Sequence, residues 1–331
     1  MSTEAKLETF LDAELRPREW DDYVGQKLIK KNLRVLIRAA KERNEPIEHL
    51  LFYGPPGLGK TTLAHLIAKE LSAQIKVASG PAIEKVGDLA SILTNLTPGD
   101  ILFIDEAHRL NKVVGEILYP AMESGNLNII IGKGPSARSI QLELPRFTLI
   151  AATTRVALLS QPLRSRFSGG TFRMEFYTNE ETKEIVTRSA KVLGVPINED
   201  ASYEIAKRSR FTPRIANHFL KRARDYAQIN NKPSIDIGSV RAILEMMGID
   251  EAGLTSHDRQ ILTVLIDKFG GGPVGLQTLS AATSEEEATI EEVCEPYLLQ
   301  LGFIDRTSRG RVATPHAYTH LGKKSPQGKL M

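Results

Sequence analysis

The stretch Gly54-Pro55-Pro56-Gly57-Leu58-Gly59-Lys60-Thr61 constrains this chain more than any other, because it fits G-x-x-x-x-G-K-S/T between an apolar run and a helical one. His49-Leu50-Leu51-Phe52-Tyr53 reads as a buried strand, and Thr62-Leu63-Ala64-His65-Leu66 as the start of a helix. A loop joining them must aim several backbone N–H groups at one point, in conformations that side chains would obstruct. That requires glycine, and the helix N-terminus adds a dipole favourable to an anion. Lys60 then offers a mobile positive charge to β- and γ-phosphates, and the Thr61 hydroxyl is placed to coordinate Mg²⁺. A plain Gly/Pro-rich turn is the alternative, and strand, spacing and helix together argue against it.

Further apolar runs follow at Ile75 to Ala78, Ile101 to Ile104 and Phe147 to Ala152, separated by amphipathic stretches. Short apolar runs alternating with helices read as a parallel sheet buried on both faces, an α/β core. The run from Ile101 ends in Asp105-Glu106, which puts two carboxylates at the C-terminal edge of that sheet beside the phosphate loop. Asp105 there holds Mg²⁺ through water, and Glu106 orients and polarises an attacking water. An acidic pair after a strand is by itself only a helix start; the phosphate loop is what makes the catalytic reading the better one. Thr154, after the next run, either senses the γ-phosphate or caps a helix. Arg164 and Arg166 lie near the end of the same region, where an arginine can complete a neighbouring subunit's site. Arg214, in Thr212-Pro213-Arg214, opens a helix from which a guanidinium could reach back to the phosphates.

From about Thr178 the texture turns helical, over Glu180 to Leu193, Asp200 to Arg208 and Thr212 to Ile229. Gly248 to Leu254 reads as a linker. Ser256 to Phe269 follows as a helix, then a Gly270 to Pro273 break, shorter helices to Leu301, and two short strands around Arg306 to Gly310. Helices closed by a β-hairpin suggest a winged helix. The chain's 331 residues suffice for such a series of domains, and 41% hydrophobic with 25% charged residues is an ordinary globular balance. The expected boundaries are 1–176 for a large ATPase domain, 177–249 for a helical lid and 250–331 for a winged-helix domain with a basic tail.

A net charge of +3 neither demands nor excludes nucleic acid, so the distribution decides. Arg306, Arg309, Arg311, Lys323, Lys324 and Lys329 face only Asp305 between Phe303 and Met331. Such cations hold phosphates without reading sequence. A solvated basic tail is the competing reading, supported by Glu285-Glu286-Glu287 in the same region. The lone Cys294 makes neither a disulfide nor a zinc site, and Met1 to Asp12 lacks an apolar core. A cytoplasmic protein is expected. Asn95-Leu96-Thr97 matches a glycosylation sequon but reads as a loop before Pro98-Gly99.

These parts together resemble an AAA+ P-loop ATPase: a parallel-sheet core, an all-helical lid domain and a C-terminal winged-helix domain. Several stretches are similar to one family in particular, the RuvB subunits of Holliday-junction branch migration: Leu15-Arg16-Pro17, Gly54 to Leu66, Gly87 to Ala90, Asp105 to Leu110, Leu118 to Glu123, Ile131 to Ile140, Thr212 to Asn217, Phe269 to Gly275 and Glu295 through Arg311. The resemblance runs from about Leu15 to Leu321. It implies nucleotide contacts from Leu15, Arg16, Gly57, Lys60, Thr61, Thr62, Glu123, Ser124, Gly125, Arg166, Tyr177 and Arg214, with Arg166 favoured over Arg164 as the trans arginine.

The resemblance further implies a hexameric ring driven by ATP and Mg²⁺, DNA contacts from Arg306 and Arg311, and a Leu127 to Leu144 hairpin that docks on RuvA. A RuvC-type resolvase would join the wider complex. Independently, Ile129 to Ile131 and Ile140 to Leu142 around Gly132 to Pro135 read as two short strands, either a partner surface or a core hairpin. Ala107, Ser165, Ser124-Gly125 and Glu287 depart from the family's commoner residues, and Ser168 to Thr171 is one residue longer, leaving that local geometry open. A clamp-loader or replication-initiator ATPase is the alternative; a sequence-specific DNA-binding regulator is a second.

Overall fold

The computed structural model describes residues 14–131 and 138–325; the expectations made for Met1 to Asp12, for the Gly132 to Pro135 turn and for Lys329 fall outside them. The chain divides into two compact units. One contains the residues up to Gly194 and Thr212–Asn217, the other Val195–Phe211 and the residues from His218 on.

Helix α1 (Lys27–Arg43) opens the first unit, burying Ile29, Leu33, Ile37 and Ala40, one helical face by their spacing. Lys41 and Arg43 complement its C-terminal dipole, and Asn44 ends it in a left-handed turn (φ 54°). Five strands follow: β1 (Leu50–Tyr53), β2 (Ile75–Ser79), β3 (Ile101–Asp105), β6 (Thr148–Thr153) and β7 (Gly170–Arg173). They form one parallel sheet in the order β2-β3-β6-β1-β7.

Neighbouring side chains along each strand take opposite faces. Phe52, Phe103 and Ile150 join a core with α1 and helix α2 (Lys60–Glu70). Leu51, Leu102, Ile104 and Leu149 join a second core with α3 (Val86–Thr94) and α4 (Lys112–Ser124). Every residue of β6 is buried, which is why these strands read as continuous apolar runs rather than alternating ones.

The edge strand β7 was not expected. It begins inside Ser168 to Thr171, whose glycines obscure a strand pattern. The Gly169 N–H donates to His49 O at 3.0 Å, and a Cβ on Gly169 would lie 2.8 Å from Leu50 Cδ2. Glycine there lets the edge strand come onto β1. Between α4 and β6, β4 (Asn126–Ile131) and β5 (Arg138–Glu143) pair antiparallel, Leu127 opposite Leu142 and Ile129 opposite Ile140. Leu127 is buried in the second core, anchoring the hairpin at its base, while Ile140 is 42% exposed.

Short helix α5 (Gln161–Arg164) follows β6, and α6 (Asn179–Val192) starts from a Thr178/Glu181 capping box. The second unit holds α7 (Glu199–Arg208), most of α8 (Pro213–Ile229), α9 (Ile237–Met246), α10 (Ser256–Asp267) and α11 (Leu276–Thr283). It ends with α12 (Glu295–Gln300), the strands β8 (Ile304–Thr307) and β9 (Gly310–Ala313), and α13 (Pro315–His320). Leu262, Leu265, Leu298, Phe303 and Ile304 form the core under the antiparallel β8–β9 wing, in which Arg306 pairs with Arg311. Among the described residues no helix is long and apolar enough to cross a membrane.

Candidate active site

Because the sheet is parallel, β1, β3 and β6 all release their chains at one edge, with Tyr53 in register with Thr153 and Ser79 with Asp105. The phosphate loop leaves β1 there. Gly57 (φ 77°) and Gly59 (φ 94°) take left-handed conformations, and a Cβ would meet Thr212 Cγ2 at 2.6 Å or Tyr23 Oη at 2.8 Å respectively. The loop is braced from behind: the Tyr177 hydroxyl lies 3.1 Å from Leu58 O and 3.2 Å from the Tyr23 hydroxyl. Burial raises both phenols, Tyr177 to about 12, so they remain protonated. Lys60 is 7% exposed, and its Nζ donates to Gly54 O and Pro55 O at 2.7 Å each. Desolvation lowers its amine to about 8, against the opposing pull of Asp105 and Glu106. A dry ammonium held only by carbonyls suits an incoming polyphosphate.

Asp105 ends β3, with Oδ2 3.5 Å from the Thr61 hydroxyl and Oδ1 accepting the Glu106 N–H at 2.9 Å. Glu106 itself is left-handed (φ 50°), an uncommon state for a residue with a side chain, and Gly80 makes room for its carbonyl. Its Oε2 accepts from the Thr154 hydroxyl at 3.4 Å and lies 3.3 Å from His108 Nδ1. His108 Nδ1 is also 2.9 Å from Thr153 Oγ1, and burial lowers its pKa below the ordinary histidine value despite Glu106. The hydroxyl of Thr154 thus faces the carboxylate rather than capping a helix.

A cleft of about 310 Å³ collects Leu15, Arg16, Gly57, Lys60, Thr61, Thr62, Tyr177 and Arg214 with both carboxylates. Three residues in or beside this cleft were not expected from the sequence. His108, within Asp105 to Leu110, lies outside the cleft lining but against the Glu106 carboxylate. Arg188 donates to Leu15 O at 2.6 Å and Asp22 O at 3.4 Å, fastening the segment before α1. Asn217 carries a buried Oδ1 with no partner. Its place one turn after Arg214 on α8 was the available signal.

Glu123, Ser124, Gly125 and Arg166 do not line this cleft. Arg166 Nη2 pairs with Glu123 Oε1 at 2.9 Å, Nη1 donates to Pro162 O at 2.6 Å, and the guanidinium lies 4.6 Å from the Tyr119 ring centroid. Gly125 closes α4 at φ 65°. Arg164 is exposed.

In the wing, Arg306 is half exposed, 2.9 Å from Glu291 and 3.9 Å from Glu295. Arg309 is exposed at the β8–β9 turn. Arg311 departs from the expected phosphate contact: it is 6% exposed, with Nη2 donating to Glu295 Oε2 at 3.1 Å and Nε to Oε1. A guanidinium buried on a buried carboxylate organises the wing. Lys323 pairs with Asp267. Glu287 is exposed.

Three family descriptions match in succession: Holliday junction DNA helicase RuvB P-loop domain over residues 15–174, RuvB AAA lid domain over 177–250, and RuvB C-terminal winged helix domain over 251–322. The Holliday junction branch migration complex subunit RuvB of Thermomicrobium roseum is 58% identical over 323 residues, 98% of this chain and 91% of that protein. The subunit of the same description from Fusobacterium nucleatum is 57% identical over 93% of each chain. Among solved structures, the Thermotoga maritima RuvB Holliday junction branch migration motor superposes with a TM-score of 0.85 at 48% identity, covering 95% of this chain and all of that one. The P-loop, lid and winged-helix matches follow one another along nearly the whole chain, and the chain belongs to the RuvB family.

Proposed function

We propose that this chain is an ATP-driven DNA motor that carries out branch migration of Holliday junctions in recombination and repair. The single observation that carries the reading is the split of the site. Lys60, Thr61, Asp105, Glu106 and Arg214 meet in one cleft, whereas Arg166 sits outside it with its guanidinium already oriented. A cleft short of its last cation acts when a second subunit supplies it, so the working form is a ring, as the resemblance implies a hexamer.

Within that ring, Lys60 holds the β- and γ-phosphates against the loop's N–H groups. Glu106 orients the attacking water, with Thr154 and His108 fixing its carboxylate. Arg166 from the adjoining subunit, with its Glu123 to Gly125 segment, meets the charge that develops on the transferred phosphoryl group. The Thr61 hydroxyl and the Asp105 carboxylate, 3.5 Å apart, are hard oxygen donors suited to Mg²⁺, which would neutralise the phosphates when bound. Arg214, at the start of α8, reports the phosphates' presence to the helical lid.

Three domains, 1–176, 177–249 and 250–331, divide the work into hydrolysis, lid movement and DNA grip. Arg306 and Arg309 contact duplex phosphates, and Arg311 holds the wing that presents them. The β4–β5 hairpin, with Ile140 exposed, is the surface for RuvA. A RuvC-type resolvase works in the same cytoplasmic complex.

Footprinting tests this reading against the other AAA+ roles. With ATP, RuvA and a four-way junction of arbitrary sequence, protection is expected on the arms flanking the crossover, with no preferred sequence. Protection of one sequence would indicate a regulator. Binding to a sliding clamp without junction protection would indicate a clamp loader.

A further inference from the structure

Arg166 rests in a cradle rather than on open surface. Tyr119 and Glu123 are four residues apart on α4 and therefore share one helix face. The Tyr119 ring lies beneath the guanidinium at 4.6 Å, Glu123 Oε1 takes Nη2 at 2.9 Å, and Pro162 O takes Nη1 at 2.6 Å. The ring is fixed in turn: the Tyr119 hydroxyl lies 2.8 Å from Ser160 Oγ, whose side chain also accepts the Leu163 N–H at the start of α5. These contacts restrain the guanidinium by its face, its edge and its far nitrogen at once. The Arg166 side chain keeps 20% of its exposure while Glu123 keeps 59%, so the carboxylate is the solvated and replaceable partner; the Tyr119 ring is half-buried. Arg164, two residues earlier, is exposed and has no such seat.

We infer that Tyr119 is a positioning residue for the trans arginine: its ring presets the plane of the Arg166 guanidinium, and Glu123 holds the group's rotation until a phosphate of the adjoining subunit displaces the carboxylate. The inference rests on the reading of Arg166 as the arginine that completes a neighbour's site. A ring beneath a guanidinium removes rotamers before the reaction begins and leaves the edge nitrogens free for oxygen acceptors, which a second carboxylate in that place would not do.

The test uses the full-length protein, with junction-stimulated ATP hydrolysis as the readout. Tyr119→Leu is expected to lower kcat about tenfold with KM for ATP changed less than about twofold, and Tyr119→Phe, which keeps the ring, to retain most of the activity. Mixing with Glu106→Gln separates positioning from structural damage. A Tyr119→Leu site next to a Glu106→Gln subunit borrows an intact arginine, so turnover per Tyr119→Leu subunit should rise well above that of Tyr119→Leu alone. Arg166→Ala mixed with Glu106→Gln is the control. Absence of rescue in that control overturns the trans reading itself. Rescue of Arg166→Ala but not of Tyr119→Leu overturns only the role of Tyr119. So does wild-type kcat in Tyr119→Leu, or a loss in Tyr119→Phe equal to that in Tyr119→Leu.

Discussion

The hydroxyl of Thr154 donates to Oε2 of Glu106 at 3.4 Å, joining the end of one central strand to the end of its neighbour. His108 approaches the same oxygen at 3.3 Å, so the carboxylate is gripped from two sides while its own backbone is left-handed. An orienting carboxylate contributes by aim, and neither partner lines the cleft itself. Thr154→Val and His108→Ala are therefore expected to lower kcat about ten- to a hundredfold with little change in KM for ATP, and Glu106→Gln to bind ATP without turnover. Steady-state kinetics checks this, and a loss confined to KM would refute it.

Gly59 sits against the Tyr23 hydroxyl at φ 94°. Gly59→Ala meets both a collision and a disfavoured backbone, and nucleotide affinity should fall more than about a hundredfold, because the loop's N–H groups lose their common focus. Adding Tyr23→Ala removes the collision and leaves the backbone penalty, so the double variant should still bind poorly. Lys60→Ala should not bind detectably. Titration with a fluorescent ATP analogue reads all three, and normal affinity in the double variant would show that φ is not limiting.

The phosphate loop and Asp105-Glu106 were legible in the sequence because each is a local pattern placed by a strand: spacing fixes the chemistry, and a parallel sheet brings the strand ends together. The α/β core, the helical stretches and the winged hairpin were legible for the same reason, through runs and periods. What escaped depends on contacts between distant residues. Strand β7 hides behind Gly169 and Gly170, whose purpose is visible only against Glu48 and Leu50 for the first and Phe172 for the second. Arg188 looks like any helical arginine until Leu15 O is found beside it. Arg311 reads as a DNA contact in a basic stretch and proves to be the buried partner of Glu295, because charge counting cannot see which cations are already neutralised.

That ion pair separates two kinds of arginine in the wing. Glu295→Gln strands a buried guanidinium and should destabilise the protein by about 3 kcal/mol, read by denaturant unfolding. Arg309→Ala touches no such pair; it should leave stability unchanged and reduce the slope of log affinity for duplex DNA against log salt by about 1. An unchanged salt slope would remove Arg309 from the interface.

His49 gives the fold a defined acid sensitivity. Its Nδ1 accepts the Leu149 N–H at 2.8 Å, so Nε2 carries the proton and donates to Met122 O at 3.1 Å, next to Glu123. Burial lowers its pKa below the ordinary 6.5, opposed by the bond to Met122. When the pH falls through that ordinary value, the unfolded chain takes up a proton that the folded chain refuses, so the stabilisation present above about pH 6.5 is lost on acidification. The wild type should lose unfolding free energy between pH 7 and 5.5 more steeply than His49→Gln, by up to about 1.4 kcal/mol per pH unit. Parallel slopes would mean that His49 titrates normally.

ATP turnover in this cleft should move DNA. The most direct measurement is the dissociation of a synthetic four-way junction by the protein with ATP, Mg²⁺ and the cognate RuvA, with Glu106→Gln as the control. Partner-stimulated dissociation is expected, disappearing in Glu106→Gln while junction binding persists. Vigorous ATP hydrolysis by the wild type with the junction left intact would contradict it.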